Sequence, residues 1–324
     1  MKRLRILVDF AAPPDALNAL REGVSGHELV LPQTLPSSVP AAAVTNLQLT
    51  TADVAFGQPD PQAVAEAAQL KWLQISSSGI TRYDNPRFRA LVAGRNIAVS
   101  NSASVYNEAC AVHVLSFMLA QARKLPFALG TRMAGGSEPW HALRNSCATL
   151  CGENVLIVGY GAIGKRLAEL LRPFGANLTV HRRKQRGDED VPVVTQEQLS
   201  GVLRQANHVV NILPDNAETR HFFNRARFAI IKPGAIFYNI GWGATVDQDV
   251  LLEVLRSKRL GAAWLDVTEP EPLPEDHPLR AEPNAFITPH IVGGQPDEAK
   301  ALVRHFLANL DRFVRGDPLL DRVM

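Results

Sequence analysis

One histidine and one acidic segment follow two separate apolar runs of this chain, and residues of these types could together move a proton. His290 comes directly after the run AFITP, and the segment TEPEP (residues 268–272) comes after GAAWLDV. In an open α/β sheet, ligands bind outside the carboxyl ends of the strands, so both positions point to the reactive edge. A carboxylate against one ring nitrogen of a histidine fixes the tautomer and raises the pKa of the ring. The pattern predicts acid–base chemistry on a hydroxyl or carbonyl group.

A glycine-rich sequence upstream predicts dinucleotide binding. The apolar run NVLIV leads directly into GYGAIG, and a helical pattern follows. In this context the first glycine allows a tight turn, the second lets a pyrophosphate approach the backbone, and the third lets the helix pack on the strand. The helix N-terminus adds unpaired N–H groups and the positive end of its dipole. The predicted cofactor-binding residues of this loop are Gly159, Gly161, Ala162, Ile163 and Gly164.

The next predicted strand ends in LTVHRRKQR, and its basic residues indicate which dinucleotide binds. A site for NAD normally places an acidic residue about 20 residues beyond the glycines, where it binds the ribose hydroxyl groups. Here Arg182 and Arg183 stand at that point, followed by Lys184. Guanidinium groups bind a 2′-phosphate through charge-assisted hydrogen bonds. We therefore predict NADP as the cofactor, with NAD as the second choice. The alternative interpretation is a solvated basic loop.

The elements that would position these groups alternate in type along the chain. In the first hundred residues, apolar strands such as RILVDF, DVAFG and LKWLQIS alternate with helical stretches. A second series begins at NVLIV, and alternation of this kind builds parallel sheets that helices cover. A mostly apolar helix is predicted from about Tyr106 to Lys124, and an amphipathic one from about Pro296 to Arg315. A polar, glycine-rich stretch, AGGSEPWHALRNSCATLCGEN, leads into the second series.

Composition limits the class of protein. A chain of 324 residues suits two domains, and 46% hydrophobic with 20% charged residues is typical of soluble globular proteins. The net charge of +2 predicts no nucleic-acid partner. No run approaches the roughly 18 apolar residues of a membrane span, and the start of the chain predicts a strand rather than a signal peptide. Three cysteines without a CxxC pair and nine scattered histidines predict a reducing, cytoplasmic location and no metal site.

Five motifs occur in the order and spacing of the D-isomer-specific 2-hydroxyacid dehydrogenase family, which the chain resembles over essentially its whole length. These motifs are GYGAIG, LPDNAETRHFF, KPGAIFYNIGWGATVD, LGAAWLDVTEPEPLPEDHPL and TPHIVGG. The resemblance implies an α/β fold with two parallel sheets. A Rossmann dinucleotide-binding domain (residues 102–292) would be inserted into a flavodoxin-like substrate domain (residues 1–101 and 293–324). It also implies a cleft between the domains, a small-molecule carbonyl substrate and a homodimer.

The same resemblance assigns roles to particular residues. His290 matches the family's catalytic acid/base, and Glu271, rather than the glutamate two residues earlier, matches its carboxylate partner. Ser78 and Gly79, in LQISSSGITRYD, match the loop whose main-chain N–H groups hold the carboxylate of the substrate. These four residues are the catalytic and substrate-binding positions that the resemblance predicts.

Two further cofactor contacts follow from the resemblance, Pro214 in LPDNAETRHFF and Asp266 in LGAAWLDV. The chain is most similar to the glyoxylate/hydroxypyruvate reductase branch of the family, and the basic Arg182 agrees with NADPH. Reduction of a 2-keto acid to a 2-hydroxy acid is the activity that this branch implies.

Trp242 is a departure from the family pattern. Members read N-x-x-R-G after the strand that corresponds to AIFY, whereas this chain reads NIGWG. The family's arginine binds the carboxylate of the substrate and polarises its carbonyl group. An indole has one N–H donor and no charge, so it cannot form a bidentate ion pair. We predict that Trp242 contributes to the substrate site; the alternative is that the indole turns back into the core.

Two functions remain open on the sequence. The first is an NADPH-dependent reductase in which Arg82 or Arg132 supplies the missing charge, or whose larger or more apolar carbonyl substrate stacks on Trp242. The second is a regulatory protein that binds a dinucleotide as a sensor, as the family's transcriptional corepressor branch does. The combination of His290 with Glu271 favours the enzyme, because a sensor has no need of that pair.

Overall fold

The computed structural model describes residues 3–10, 12–31, 47–187 and 189–324, and the chain divides into two compact units. Unit 1 comprises Met1–Tyr106 and Gly294–Met324, and unit 2 comprises Asn107–Gly293. Each unit has its own parallel sheet and its own buried core. Within the described ranges, no helix is both long enough and apolar enough to cross a membrane.

The sheet of unit 1 has the strand order of flavodoxin-like folds. Its elements along the chain are β1 (Arg5–Asp9), α1 (Pro14–Gly23), β2 (Glu28–Val30), β3 (Val54–Gly57), α2 (Pro61–Glu66), β4 (Trp72–Ile75), α3 (Pro86–Gly94) and β5 (Ala98–Ser100). The described strands pair in parallel in the order β2-β1-β3-β4-β5. Strands β3 and β4 are buried throughout, which accounts for their continuous apolar sequences.

One long helix links the units along the chain. Helix α4 (Ala103–Ala122) begins in unit 1 and ends in unit 2, and the short helices α5 (Leu125–Leu129) and α6 (Glu138–Asn145) follow it. Sequence periodicity predicted a start near Tyr106, but α4 begins three residues earlier. The Asn101 side chain explains the difference, since its Oδ1 accepts a hydrogen bond from the N–H of Ala103 at 3.2 Å.

The sheet of unit 2 has Rossmann topology. Its elements are β6 (Asn154–Val158), α7 (Ala162–Leu171), β7 (Asn177–His181), β8 (Val193–Val194), α8 (Leu199–Leu203), β9 (His208–Asn211), α9 (Arg225–Ile230), β10 (Ile236–Asn239), α10 (Gln248–Arg256), β11 (Ala262–Leu265) and β12 (Ala285–Ile287). The described strands lie in the order β12-β11-β10-β9-β6-β7-β8, all parallel, and the direction of winding reverses between β6 and β9. Ligands bind at such a reversal.

The last helix, α11 (Glu298–Arg315), belongs to unit 1 and covers its sheet. The ring of Phe306 stacks on Phe56 at 4.4 Å and on Trp72 at 5.2 Å between ring centroids. This packing accounts for the amphipathic pattern of the helix, because one face must bury these apolar groups. The predicted fold class, an α/β protein with two parallel sheets, is confirmed.

Candidate active site

The structure brings His290 and Glu271 into direct contact at the carboxyl edge of the unit 2 sheet. The Nδ1 atom of His290 forms a hydrogen bond with Oε1 of Glu271, and both side chains are partly exposed. The hydrogen bond that the ring donates to Glu271 raises the pKa of His290, although burial of the ring opposes the shift. The raised pKa means that the imidazole holds its proton to a higher pH than a free histidine does. The pair can therefore present a proton to a bound molecule.

Asp266 holds the turn that carries His290. Its carboxylate has no exposed surface and accepts hydrogen bonds from the hydroxyl of Thr288 at 2.6 Å, the N–H of Ile291 at 3.0 Å and the N–H of Val292 at 2.9 Å. The main-chain oxygen of Asp266 accepts a further hydrogen bond from the N–H of His290 at 3.0 Å. Four contacts of one residue thus fix the turn. The predicted contact of Asp266 with a cofactor stays a prediction.

The backbone of His290 has a conformation that these contacts must maintain. Its φ angle is 52°, in the left-handed region that non-glycine residues rarely adopt. Such a conformation costs about 1–3 kcal/mol and persists where the surrounding structure enforces it, often at functional sites. The short loop between β12 and the end of unit 2 is therefore shaped by Asp266 rather than by its own sequence preference.

His113, on α4, lies behind this turn. Its Nε2 is 3.9 Å from Oδ1 of Asp266, which is too long for a hydrogen bond, and this nitrogen has no hydrogen-bond partner among the described residues. Burial lowers the pKa of His113, while the nearby Asp266 carboxylate opposes the shift. His113 was not among the predicted site residues, because its position on an apolar helix gave no signal.

The turn that carries Trp242 packs closely against two neighbouring loops. A Cβ atom at Gly241 would lie 2.6 Å from the oxygen of Leu213, and one at Gly243 would lie 2.0 Å from the oxygen of Thr268. Both positions therefore require glycine, because backbone lies against backbone there. Trp242 itself is half-buried and does not belong to the buried core of unit 2. The flanking glycines serve the packing of the turn.

A buried amide network, which the sequence analysis missed, holds the same turn. The Nδ2 group of Asn211 donates to Oδ1 of Asn239 at 2.9 Å and to the hydroxyl of Thr245 at 2.7 Å. The main-chain oxygen of Trp242 accepts hydrogen bonds from Thr245 Oγ1 at 2.6 Å and from Asn239 Nδ2 at 3.1 Å. Polar residues at the ends of the apolar runs VVN and FYN were the available signal. Buried polar groups at adjacent strand ends pair with each other, since an unpaired one is costly.

The glycine loop after β6 has the geometry that a dinucleotide requires. Gly159 has a φ of 104°, and a Cβ there would lie 2.7 Å from the oxygen of Ile212. A Cβ at Gly161 would instead point into open space, with no atom within 4 Å. No side chain caps the N-terminus of α7, which begins at Ala162. The loop therefore leaves room beside the N–H groups of a helix N-terminus, so these residues fit a pyrophosphate.

The two arginines after β7 have different surroundings. Arg182 forms a largely buried ion pair with Glu189, in which the Arg182 side chain is 11% exposed and the Glu189 side chain 2% exposed. Arg183 forms an ion pair with Glu218 in which both side chains are exposed. Pro214, the other predicted cofactor contact outside the glycine loop, is exposed, and its oxygen accepts a hydrogen bond from Thr219 Oγ1 at 2.6 Å.

The predicted substrate loop lies in unit 1, after β4. The N–H groups of Ser78 and Gly79 donate no hydrogen bond to another described residue. The oxygen of Ser78 accepts a hydrogen bond from Asn101 Nδ2 at 2.7 Å, and that of Gly79 accepts one from Ser77 Oγ at 2.7 Å. The loop is thus held through its carbonyl groups, which leaves its N–H groups able to bind an anion.

Arg82 and Arg132, the two residues predicted to supply the charge that Trp242 lacks, differ in their contacts. Arg82 follows the Ser78–Gly79 loop in unit 1 and donates from Nη1 to the oxygen of Gln58 at 2.9 Å. Arg132 lies in unit 2 and is exposed.

Comparison with known proteins shows which family the chain resembles. Residues 115–292, more than half of the chain, match the family model described as D-isomer specific 2-hydroxyacid dehydrogenase, NAD binding domain. The human glyoxylate reductase/hydroxypyruvate reductase is 31% identical over 257 residues, which cover 79% of this chain and 77% of the human protein. The glyoxylate reductase of Aeropyrum pernix is 31% identical over 329 residues, which cover 98% of this chain and 94% of that protein.

A solved structure extends the similarity to the whole fold. The NADPH-dependent glyoxylate/hydroxypyruvate reductase of Sinorhizobium meliloti, in complex with NADP and malonate, is 25% identical with a TM-score of 0.74. The match covers 99% of this chain and 97% of that protein. The protein described here therefore belongs to the D-isomer-specific 2-hydroxyacid dehydrogenase family.

Proposed function

We propose that this protein is an NADPH-dependent reductase that converts a 2-keto acid, or a related carbonyl compound, to the 2-hydroxy compound. The observation that carries the proposal is the hydrogen-bonded pair of His290 and Glu271, at the carboxyl edge of the sheet that also presents the glycine loop. A proton donor beside a dinucleotide site suits reduction of a carbonyl group. The names of the human and Aeropyrum pernix relatives support a keto acid as substrate.

His290 is the general acid in this mechanism. When bound, NADPH would supply a hydride to the carbonyl carbon. Protonated His290 would give the proton on its Nε2 atom to the carbonyl oxygen. Glu271 holds Nδ1 and favours the imidazolium form, consistent with the raised pKa of His290. Asp266 fixes the orientation of the loop through Thr288, Ile291 and Val292. Ser78 and Gly79 would bind the carboxylate of a keto acid through their N–H groups.

The cofactor is assigned from the residues around the glycine loop. Gly159, Gly161 and Gly164, with the N–H groups of Ala162 and Ile163, would hold the pyrophosphate. Arg182 and Arg183 would bind the 2′-phosphate, because guanidinium groups form strong bonds to phosphate oxygens. The Sinorhizobium meliloti enzyme, which is described as NADPH-dependent, supports this choice over NAD.

Trp242 restricts the choice of substrate. Without a guanidinium group at this position, a small keto acid loses the bidentate contact that the family arginine makes. Arg82, just past the Ser78–Gly79 loop, or the exposed Arg132 would then have to supply a charge. A larger or more apolar carbonyl compound would instead gain contact with the indole. We propose that Trp242 lines the substrate site in either case, and its half-buried position outside the core of unit 2 supports this.

The proposal is tested by NADPH oxidation with a panel of carbonyl compounds. The panel contains glyoxylate, hydroxypyruvate, larger 2-keto acids and carbonyl compounds without a carboxylate. We expect turnover with at least one of them. His290→Ala should lower kcat by about a hundredfold or more and leave NADPH affinity unchanged, since acid catalysis contributes 10²–10⁴-fold. His141→Ala is the control, because His141 is an exposed residue of α6.

The second candidate function is a dinucleotide sensor, and Trp242 is the observation that favours it. If NADPH binds tightly but no compound of the panel is reduced, the enzyme proposal is wrong and the sensor takes its place. Equal rates in the native protein and in His290→Ala would show that the proton donor lies elsewhere.

We also propose that the protein is a homodimer. Several large apolar side chains of the segment from α4 to the loop beyond α5 are exposed, and these are Val112, Leu125, Phe127, Leu129 and Met133. Large apolar side chains left exposed in one segment of a chain are often covered by a partner. Light scattering on the purified protein checks the mass, and a monomer at micromolar concentration would contradict the proposal.

A further inference from the structure

The carboxylate of Glu189 accepts hydrogen bonds from three donors in the loop after β7. Its Oε1 accepts hydrogen bonds from Arg182 Nη1 at 2.5 Å and from the N–H of Arg186 at 2.8 Å, and its Oε2 accepts one from the N–H of Gly187 at 2.8 Å. The side chains of Glu189 and Arg182 are 2% and 11% exposed, respectively. A carboxylate of the chain itself is therefore enclosed by one guanidinium group and two successive N–H groups.

These donors have the arrangement that binds phosphates. Successive N–H groups of a loop can form a concave anion site, and here the N–H groups of Arg186 and Gly187 both donate to one carboxylate. A guanidinium group adds charge and directional donors for phosphate oxygens. Arg182 is also the residue that the sequence places where the 2′-phosphate of NADPH would bind. The same donors thus suit either the Glu189 carboxylate or a phosphate.

Glu189 remains ionised in this site. Burial raises its pKa, but the hydrogen bonds from the N–H of Arg186, from Arg182 and from the N–H of Gly187 outweigh that effect, so that the pKa is lowered. A carboxylate and a phosphate cannot share these donors, because two like charges in contact repel each other strongly. Arg183 offers a contrast, since its partner Glu218 is exposed and can move aside into solvent.

We propose that Glu189 determines cofactor specificity by competing with the 2′-phosphate of NADPH for Arg182 and for the N–H groups of Arg186 and Gly187. The inference rests on the proposed use of NADPH. It assigns to Glu189 a role opposite to that of Arg182, since Glu189 lowers the affinity for the phosphorylated cofactor and leaves the affinity for NAD unchanged. In the native protein, the preference for the phosphorylated cofactor over NAD is therefore smaller than Arg182 and Arg183 would produce without Glu189.

Calorimetric titration tests the competition without any assay of turnover. The ligands are NADP⁺, NAD⁺ and adenosine 2′,5′-bisphosphate, which carries the 2′-phosphate without the nicotinamide. Glu189→Gln keeps the size of the side chain and removes its charge, and Glu189→Ala removes the carboxylate altogether. Glu197→Gln is the matched control, because Glu197 is an exposed residue with the same charge that bonds to Thr195 in a neighbouring segment.

Both variants of Glu189 should bind NADP⁺ and the bisphosphate at least about tenfold more tightly, the gain expected when a buried competing charge is removed. The affinity for NAD⁺ should change less than about twofold, and Glu197→Gln should match the native protein for all three ligands. Circular dichroism establishes that each variant is folded. If Glu189→Ala does not fold, Glu189→Gln decides the question.

The outcomes separate this inference from the proposed function. If the native protein binds NADP⁺ and Glu189→Gln binds it equally or more weakly, Glu189 does not compete and the inference alone is overturned. If neither protein binds NADP⁺ or the bisphosphate while both bind NAD⁺, the proposed use of NADPH is overturned as well.

Discussion

The contact between Glu271 and His290 predicts how the activity depends on pH. The hydrogen bond that His290 donates to Glu271 raises the pKa of the ring. Reduction, which needs imidazolium, therefore continues to a higher pH than it would with a free imidazole. Glu271→Gln removes the charge and should lower that pKa. The upper limb of the kcat/KM profile should then move to lower pH, while activity well below the limb changes less.

The measurement is the pH dependence of kcat/KM for the best substrate with saturating NADPH. Glu275→Gln serves as the control, because Glu275 is an exposed residue of the same segment. An upper limb at the same pH in Glu271→Gln and in the native protein would mean that Glu271 does not set the protonation of His290.

Trp242→Arg tests the substitution in the family pattern. If Trp242 lines the substrate site, the native protein should be a poor catalyst with glyoxylate and hydroxypyruvate, which present a bare carboxylate. The arginine should raise kcat/KM for these acids by roughly ten- to a thousandfold, the range expected from one regained charge-assisted contact. Trp242→Leu, which removes the indole without adding charge, should give no such gain.

Steady-state kinetics of the three proteins with NADPH and glyoxylate provide the comparison. If the native protein already reduces glyoxylate with a kcat/KM typical of the family, another residue, such as Arg82 or Arg132, binds the carboxylate of the substrate. The interpretation of Trp242 would then be wrong.

At the scale of elements, the contact between α7 and the glycine loop depends on Gly164. A Cβ at this position would lie 2.5 Å from the oxygen of Gly159, so Gly164→Ala must move the helix or the loop. We expect a loss of about 1–3 kcal/mol in the free energy of unfolding, as in other overpacked interiors, and weaker binding of NADP⁺.

Gly201→Ala is the matched control, because Gly201 lies in α8 and a Cβ there meets no atom within 4 Å. This substitution should leave the stability unchanged or raise it by up to about 1 kcal/mol, as the helix propensity of alanine predicts. Unfolding in urea measures the free energy of unfolding of both variants and of the native protein. Equal stability of Gly164→Ala and the native protein would contradict the role given to the close contact.

At the scale of the whole molecule, the two units have separate cores, and all the residues predicted to bind the cofactor belong to unit 2. A ligand that binds the folded state alone, at about 100 times its Kd, adds about 2.7 kcal/mol to the free energy of unfolding. NADP⁺ should therefore raise the temperature of the calorimetric transition in which residues 107–293 unfold. If the two units unfold in separate transitions, NADP⁺ should leave the transition temperature of unit 1 unchanged.

Arg182→Asp is the companion experiment. This variant should lose the stabilisation by NADP⁺ and keep that by NAD⁺, because an acidic side chain repels the 2′-phosphate and accepts hydrogen bonds from ribose hydroxyl groups. Equal stabilisation of both proteins by NADP⁺ would show that Arg182 does not bind the phosphate.

Local patterns in the sequence were sufficient for the fold class and for the main strands and helices, because alternation of apolar runs and helical periods arises from short-range geometry. They were not sufficient for the short helix α6, in which only Trp140 and Leu143 are half-buried, because two side chains one turn apart are too few to show a helical period. The same limit applies to the two-residue strand β8, which is too short to show a pattern of its own.

The sequence by itself indicated that GYGAIG follows a strand and that His290 and an acidic segment follow two others. It also led to the prediction that Trp242 stands where the family pattern has an arginine. Only the tertiary structure decided which groups bind to one another. Asp266 holds residues 288–292 from 22 or more positions away, and Asn211 reaches Asn239 and Thr245 across two strand ends. Glu189 lies close to Arg182 in the sequence, yet its burial depends on how the loop folds over it. Hydrogen bonds of this kind depend on distance in space, which the register of a parallel sheet sets and the local sequence does not contain.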